Sequence, residues 1–184
     1  MSVVEPLSVL TMHEWDDLVV PEEQRDIELV QGVPVVSPGE SLGNRRVCDN
    51  VYFELRRACP AGMGPVSELH LSLSGDPRPT VRRPDVMVLA GDAPPEATRI
   101  AARHVLLAVE VVSPTSGERD WITKPREYAR AGIPAMLVVD PGRPAMALLT
   151  GPGLGCYGER TTGDRLTWTS PHGDIELVLA DFLA

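Results

Sequence analysis

The segment that most limits what this chain can become runs from His104 to Ser113. Val105, Leu106, Leu107, Ala108 and Val109 are followed by Glu110, then by Val111 and Val112. So apolar a run reads as a strand covered on both faces. A carboxylate inside such a strand is costly unless it is paired, hydrogen-bonded or holding a cation. A turn, Ser113-Pro114-Thr115, comes next, and then a polar segment carrying Lys124, the single lysine among 17 basic residues. We read the rest of the chain as a scaffold that brings other groups to Glu110 and Lys124.

With 184 residues, 43% of them hydrophobic, the chain can bury a sizeable core, and we expect one domain over 1–184, with 1–10 a loose arm. No apolar run reaches bilayer length, and MSVVEPLSVL lacks a basic leader region. The expectation is a soluble, cytoplasmic protein without a membrane partner. Cys48, Cys59 and Cys156 are odd in number and lack metal-ligand spacing, so buried free thiols are expected. A net charge of −9 argues against a general electrostatic grip on nucleic acid. It leaves room for a nuclease whose phosphate contact is local and assisted by a metal.

Along the chain, Thr11 with Glu14 forms a capping-box pattern that predicts a short helix over Met12 to Val20. Pro21 to Asp26 is a charged connection. Ile27–Val30 and Val33–Val36 across Gln31-Gly32 predict a β-hairpin. Ser37 to Gly43 reads as a loop. Val47, Val51, Leu55 and Ala58 give the period of an amphipathic helix over Asn44 to Ala58. Val66 to Leu73 and Val81 to Leu89 read as two strands, and Gly91 to Arg103 as a loop. Thr123 to Ala131 reads as a helix closed by Gly132 and Pro134. Ala135 to Asp140 is a buried strand, and four short antiparallel strands follow from Ala145 to Leu179.

Asp85 follows Pro84 at the head of a hydrophobic stretch, and Glu110 lies within the next strand. Sequential strands pair by default, here antiparallel. Two carboxylates brought together this way repel unless a cation lies between them. Few, hard oxygen ligands suit Mg²⁺ or Mn²⁺, which keep waters and take phosphate oxygens as further ligands. An ammonium such as that of Lys124 would hold the attacking water or offset charge in the transition state.

Pro84-Asp85 with Glu110-Val111-Val112 resembles the PD-(D/E)XK nuclease superfamily, with Val112 where that pattern has its lysine. The Uma-two family of restriction-endonuclease-like proteins carries the lysine on the following helix, and the chain resembles it from about residue 10 to 184. The matching pieces are Glu110-Val-Val-Ser113-Pro114, Asp120-Trp-Ile-Thr-Lys124-Pro-Arg-Glu-Tyr128, Ala131-Gly132-Ile-Pro134 and Val139-Asp140-Pro141. Ile27-Glu28-Leu29-Val30-Gln31-Gly32 is similar to that family's hairpin, whose Glu is a fourth active-site group. The resemblance implies an α/β fold, a restriction-endonuclease-like mixed sheet flanked by helices, with an N-terminal hairpin and C-terminal antiparallel strands. It implies metal ligation by Asp85 and Glu110, an active site of Glu28, Asp85, Glu110 and Lys124, and a homodimer. Two departures stand out. Gln31 replaces an Asp in the hairpin turn. Pro125 directly follows the lysine and suits a helix only within its first turn, so a regular helix is expected to begin near Thr123.

Plainer roles compete at each position. Glu110 could be a structural acid, Lys124 a solvated helix residue and Glu28 an exposed hairpin residue. Asp120 and Tyr128 are expected to pack, one of Arg82 and Arg83 to meet phosphate and the other solvent, and Trp15, Tyr52 and Phe53 to sit in core or interface. His13, His70, His104 and His172 share no motif. The leading function is a Mg²⁺-dependent endonuclease acting on DNA. The alternative is a catalytically silent interaction or regulatory protein that keeps the fold, with an RNA nuclease as a third reading.

Overall fold

The computed structural model describes residues 9–18, 27–36 and 39–184. Of the expected arm, residues 1–8 lie outside them, as do Val19-Val20, the connection 21–26 and Ser37-Pro38; the first helix, expected to run to Val20, ends at Asp16 with Asp17 as its C-cap. Thr11 caps α1 (Met12–Asp16) through the expected box with Glu14. The preceding Leu10 N–H donates to Gly32 O at 2.7 Å, which ties this end of the arm to the hairpin.

Strands β1 (Ile27–Val30) and β2 (Val33–Val36) form that hairpin. Its turn needs positive φ at both central residues, 51° at Gln31 and 81° at Gly32. Glycine is required at the second position on space as well: a Cβ there would stand 2.8 Å from Val9 Cβ. Ser41 caps α2 (Leu42–Ala58), two residues longer than its apolar period indicates, through the Asn44 N–H at 3.2 Å.

The two long strands read between residues 66 and 89 are each two strands in different sheets. β3 (Met63–Ser67) and β6 (Val86–Ala90) belong to a six-stranded sheet, whereas β4 (His70–Ser74) and β5 (Thr80–Arg82) belong to a five-stranded one. The chain crosses from the large sheet to the small at Glu68, where φ is 62°, and returns through Arg83-Pro84-Asp85. Proline, which cannot donate to a ladder, fits such a crossing. The expected loop 91–103 contains β7 (Arg99–Ala101), parallel to β4.

β8 (Val105–Val111) runs antiparallel to β6 and parallel to β9 (Ala135–Asp140). The large sheet continues through β10 (Ala145–Pro152) and β11 (Tyr157–Thr162). β12 (Arg165–Ser170), β13 (Gly173–Val178) and α4 (Leu179–Phe182) complete the chain. One face of the large sheet buries Val86, Leu107 and Val109 against Val47, Val51 and Leu55 of α2 and Trp168, Ile175 and Phe182 of the C-terminal elements. The other buries Met87, Ala108 and Val138 against Leu71, Tyr128 and Ile133. β8 is thus covered on both sides, as its composition requires. The architecture is α/β: mixed sheets flanked by helices, with an N-terminal hairpin and C-terminal antiparallel strands. Of the three thiols, Cys48 is buried, Cys59 half-buried and Cys156 exposed, which corrects the expectation of three buried ones.

Candidate active site

The position of Asp85 follows from the return crossing. Val86 pairs with Val109 in the antiparallel β6–β8 ladder, so Asp85, one residue earlier, stands across from Glu110 on the same face. Asp85 Oδ2 accepts a hydrogen bond from Val111 N–H at 2.6 Å. The face they share is the one covered by α3 (Lys124–Arg130). Both carboxylates line a cleft of about 570 Å³, together with Glu28 and Lys124.

Lys124 reaches the pair from the helix. Its Nζ lies 2.5 Å from Glu110 Oε2 and 3.4 Å from Asp120 Oδ1. Tyr128 donates its hydroxyl to Glu110 Oε1, and Ser116 donates its own to Asp120 Oδ2. Asp120, Lys124 and Tyr128 are four residues apart and share one face. Asp120 and Tyr128 therefore make polar contacts with the site, beyond the packing expected of them. Val112, where the superfamily pattern has its lysine, is buried among apolar side chains.

Pro125 is accommodated by a change of helical type. The helix starts at residue 117, and Asp120 N–H bonds Ser116 O, four residues back. Through Arg119–Thr123 the turn widens to a π-helix, and Lys124 N–H bonds Arg119 O, five back. Pro125 has no N–H to continue the ladder and its ring crowds the preceding carbonyls. A wide turn directly before it relieves both difficulties, and regular helix resumes at Lys124.

Glu28 stands across from Arg82, since Leu29 pairs with Val81. Its Oε2 accepts from Arg82 Nη1 at 2.8 Å and its Oε1 from Arg83 N–H at 3.0 Å. Arg82 Nε and Nη2 donate to Glu127 at 2.7 and 2.9 Å. Arg82 is therefore a buried link between two carboxylates, facing neither solvent nor phosphate, which corrects the expectation for the Arg82-Arg83 pair. Arg83 borders the cleft.

Burial sets the electrostatics. It pushes Asp85 up to about 7, against the pull of Lys124 and the Val111 N–H. It pushes Glu110 up to about 8, with Lys124 pulling down and Asp85 and Asp120 adding to the rise. Burial works against the charge of Lys124 too, but Glu110, Glu28, Asp120 and Asp85 outweigh it and hold the amine above its ordinary value. For Glu28 burial is overcome by Lys124, Arg82 and the Arg83 N–H, and its carboxyl is held below the usual range. With Glu28 paired to Arg82, Lys124 is the cation that faces the acidic groups of Glu110, Asp120 and Asp85, and a further cation would favour the ionised form of the two raised carboxyls.

The donor set fits a divalent ion. Glu40, Cys48 and Asp85 each offer a ligand atom within 4.8 Å of the others. The oxygens of Asp85 and Glu40 suit Mg²⁺ or Mn²⁺, while the thiol is a softer donor. Glu110 is bonded at both oxygens, yet each carboxylate oxygen has two lone pairs and keeps one for a metal. Sequence reasoning passed over Glu40, Asn44 and Cys48. The available signal was polar Asn44 and Cys48, four apart at the start of α2, on the side that the helix buries.

The profile of the Uma2 family, described as "Putative restriction endonuclease", matches residues 11–179. The chain belongs to the Uma2 family. A crystal structure of a putative nuclease belonging to DUF820, from Anabaena variabilis, superposes on this Uma2 chain with a TM-score of 0.74. It covers 95% of this chain and 97% of its own at 14% identity, a likeness of fold. Nothing among curated proteins matches. The family and fold expected from the Glu110 and Lys124 motifs are thus established for this Uma2 chain.

Proposed function

We propose that the chain is a Mg²⁺- or Mn²⁺-dependent endonuclease that hydrolyses phosphodiester bonds of DNA. The observation that carries this reading is the convergence of Asp85 and Glu110 across adjacent strands, with Lys124 Nζ at 2.5 Å from Glu110, beside an open cleft. Membership in a family described as "Putative restriction endonuclease" supports it.

Asp85 and Glu110 would hold the ion, with Glu40 close enough to add an oxygen. Bound there, a divalent ion supplies Lewis-acid polarisation of the phosphoryl group and lowers the pKa of its water. Lys124, held protonated by its carboxylate neighbours, acts as a fixed cation and not as a base. It donates to the attacking water or to a phosphoryl oxygen and offsets the charge that grows in the transition state. Tyr128 and Asp120 fix the carboxylate and the ammonium in place. Glu28, saturated by Arg82 and Arg83, holds the return crossing that presents Asp85. The reading includes a cytoplasmic homodimer, checked by sedimentation and by localisation of a tagged chain.

A silent, fold-retaining interaction protein is the second reading. It is favoured by the bonding of both Glu110 oxygens and by the net charge of −9. Cleavage of plasmid, single-stranded DNA and RNA with Mg²⁺ or Mn²⁺ separates the two, using wild type, Asp85→Ala and Lys124→Ala. Metal-dependent cleavage lost in both variants is expected. Equal cleavage by all three proteins, or none by any, overturns the proposal.

A further inference from the structure

We propose that Arg119 grips a non-bridging phosphate oxygen of the nucleic-acid strand in the cleft, an inference that rests on the nuclease reading. Arg119 lines the same cleft as Asp85, Glu110 and Lys124. Among the described residues, its Nε is a buried nitrogen with no hydrogen-bond partner. The nearest carboxylate oxygen, Asp120 Oδ1, stands 3.9 Å away, beyond hydrogen-bonding reach. That oxygen is itself buried and without a hydrogen bond, with Lys124 Nζ at 3.4 Å.

The Nε is enclosed, but the side chain as a whole is 29% exposed and lines the cleft. The open part of the guanidinium can therefore take an anionic oxygen there, and among the described residues none of its nitrogens is committed to a carboxylate within hydrogen-bonding reach. The other arginines around the cleft are differently placed. Arg45 lies 2.6 Å from Glu68 and 3.3 Å from Asp49, and Arg82 is bonded to Glu28 and Glu127. Arg83 comes within 4.0 Å of Glu68. A planar guanidinium fork matches the paired oxygens of a phosphodiester.

The helix geometry explains why Arg119 and Lys124 meet at one cleft. Five residues apart on an α-helix lie about 140° apart around its axis, which would turn one away. The π-turn, in which Lys124 N–H bonds Arg119 O, changes that relation. Pro125 thus shapes the substrate side of the site as well as the helix.

The test measures binding of a fluorescent DNA duplex by anisotropy over a range of salt, with Ca²⁺ in place of Mg²⁺. Proteins compared are wild type, R119A, R119K and R165A, the last removing an exposed charge on β12. R119A is expected to raise Kd about tenfold or more and to lower the slope of log Kd against log salt by about 1. R119K should restore the slope but not the full affinity, and R165A should match wild type. Calorimetric Mn²⁺ binding to DNA-free R119A should equal that of wild type. Unchanged Kd and slope in R119A, or a loss equalled by R165A, overturns the role of Arg119 while leaving the nuclease reading standing. A wild type that binds no nucleic acid overturns both. Loss of Mn²⁺ binding in R119A, with R119K equally defective, overturns a substrate role in favour of a structural one.

Discussion

Replacing Asp85 by asparagine should stabilise the metal-free protein at alkaline pH, and the size of the effect separates a ligand from a structural acid. Burial raises the Asp85 carboxyl from its ordinary 3.8 to about 7, so the neutral form is the one the fold prefers. The stability this contributes is present below about pH 4 and is lost as pH rises through about 7. Such a displacement corresponds to about 4 kcal/mol against the ionised form. Asp85 borders the open cleft and is only half-buried, so solvent screening reduces this to about 2 kcal/mol. Asparagine carries no charge and keeps an oxygen for the Val111 N–H. At about pH 8 and without divalent ions, Asp85→Asn should therefore exceed wild type by about 2 kcal/mol, or about 4–8 °C in Tm for a chain of this size. Below about pH 4, where Asp85 is protonated in both the folded and the unfolded chain, the two should nearly coincide. Millimolar Mg²⁺ or Mn²⁺ should then raise wild type and leave the variant where it was. The assay is urea and thermal unfolding at several pH values, with chelator and with metal. A variant less stable than wild type by about 1 kcal/mol or more at about pH 8 would mean that Asp85 is held by its partners as a structural acid, and the metal-site reasoning would fail.

Two further outcomes follow from the same charges. Arg82→Ala strands the buried carboxylate of Glu28 and the half-buried one of Glu127 and should cost about 3–5 kcal/mol near neutral pH. Because Glu28 is held below its ordinary 4.5, that loss should shrink as pH falls below this value, which urea midpoints against pH will show. Lys124→Met should lower metal-dependent cleavage by about 100-fold or more. Lys124→Arg should not rescue it, since a planar fork cannot occupy the place of a compact ammonium among Glu110, Asp120 and Tyr128. Rates for Lys124→Met within tenfold of wild type would remove the residue from the chemistry.

Much of this architecture was legible in the residues because it is local. The apolar run ending in Glu110, the Ile27–Val36 hairpin and the short C-terminal strands all carry their own periodicity and turn residues. The meeting of Asp85 with Glu110 was legible as well, since neighbouring strands in sequence pair antiparallel. What stayed hidden depends on distant partners. Val81 to Leu89 reads as one strand because Val81 and the apolar run Val86–Leu89 lie so close in sequence, yet Arg83 to Asp85 carries the chain between sheets. Pro84 was the mark of that break. β7 is three residues long and is held by a parallel partner, β4, so its own sequence carries little signal. The fate of Arg82 was set by Glu127, 45 residues away, which no nearby pattern announces. Pro125 announced a disturbance of the helix, but its resolution as a π-turn needed the three-dimensional packing of α3 on the sheet.

The ladder between β6 and β8 also sets how the family can change length. Its irregularity in register falls between Val88 and Leu89, at the end away from Asp85. Extra residues there are absorbed by a bulge without rotating the carboxylate. One residue added between Asp85 and Val88 would turn Asp85 to the opposite face of the sheet, toward Val47 and Val51 of α2, while an added pair would restore it. Insertions and deletions in this strand are therefore constrained by parity, and an alignment that gaps it by a single position breaks the site while leaving every residue in place.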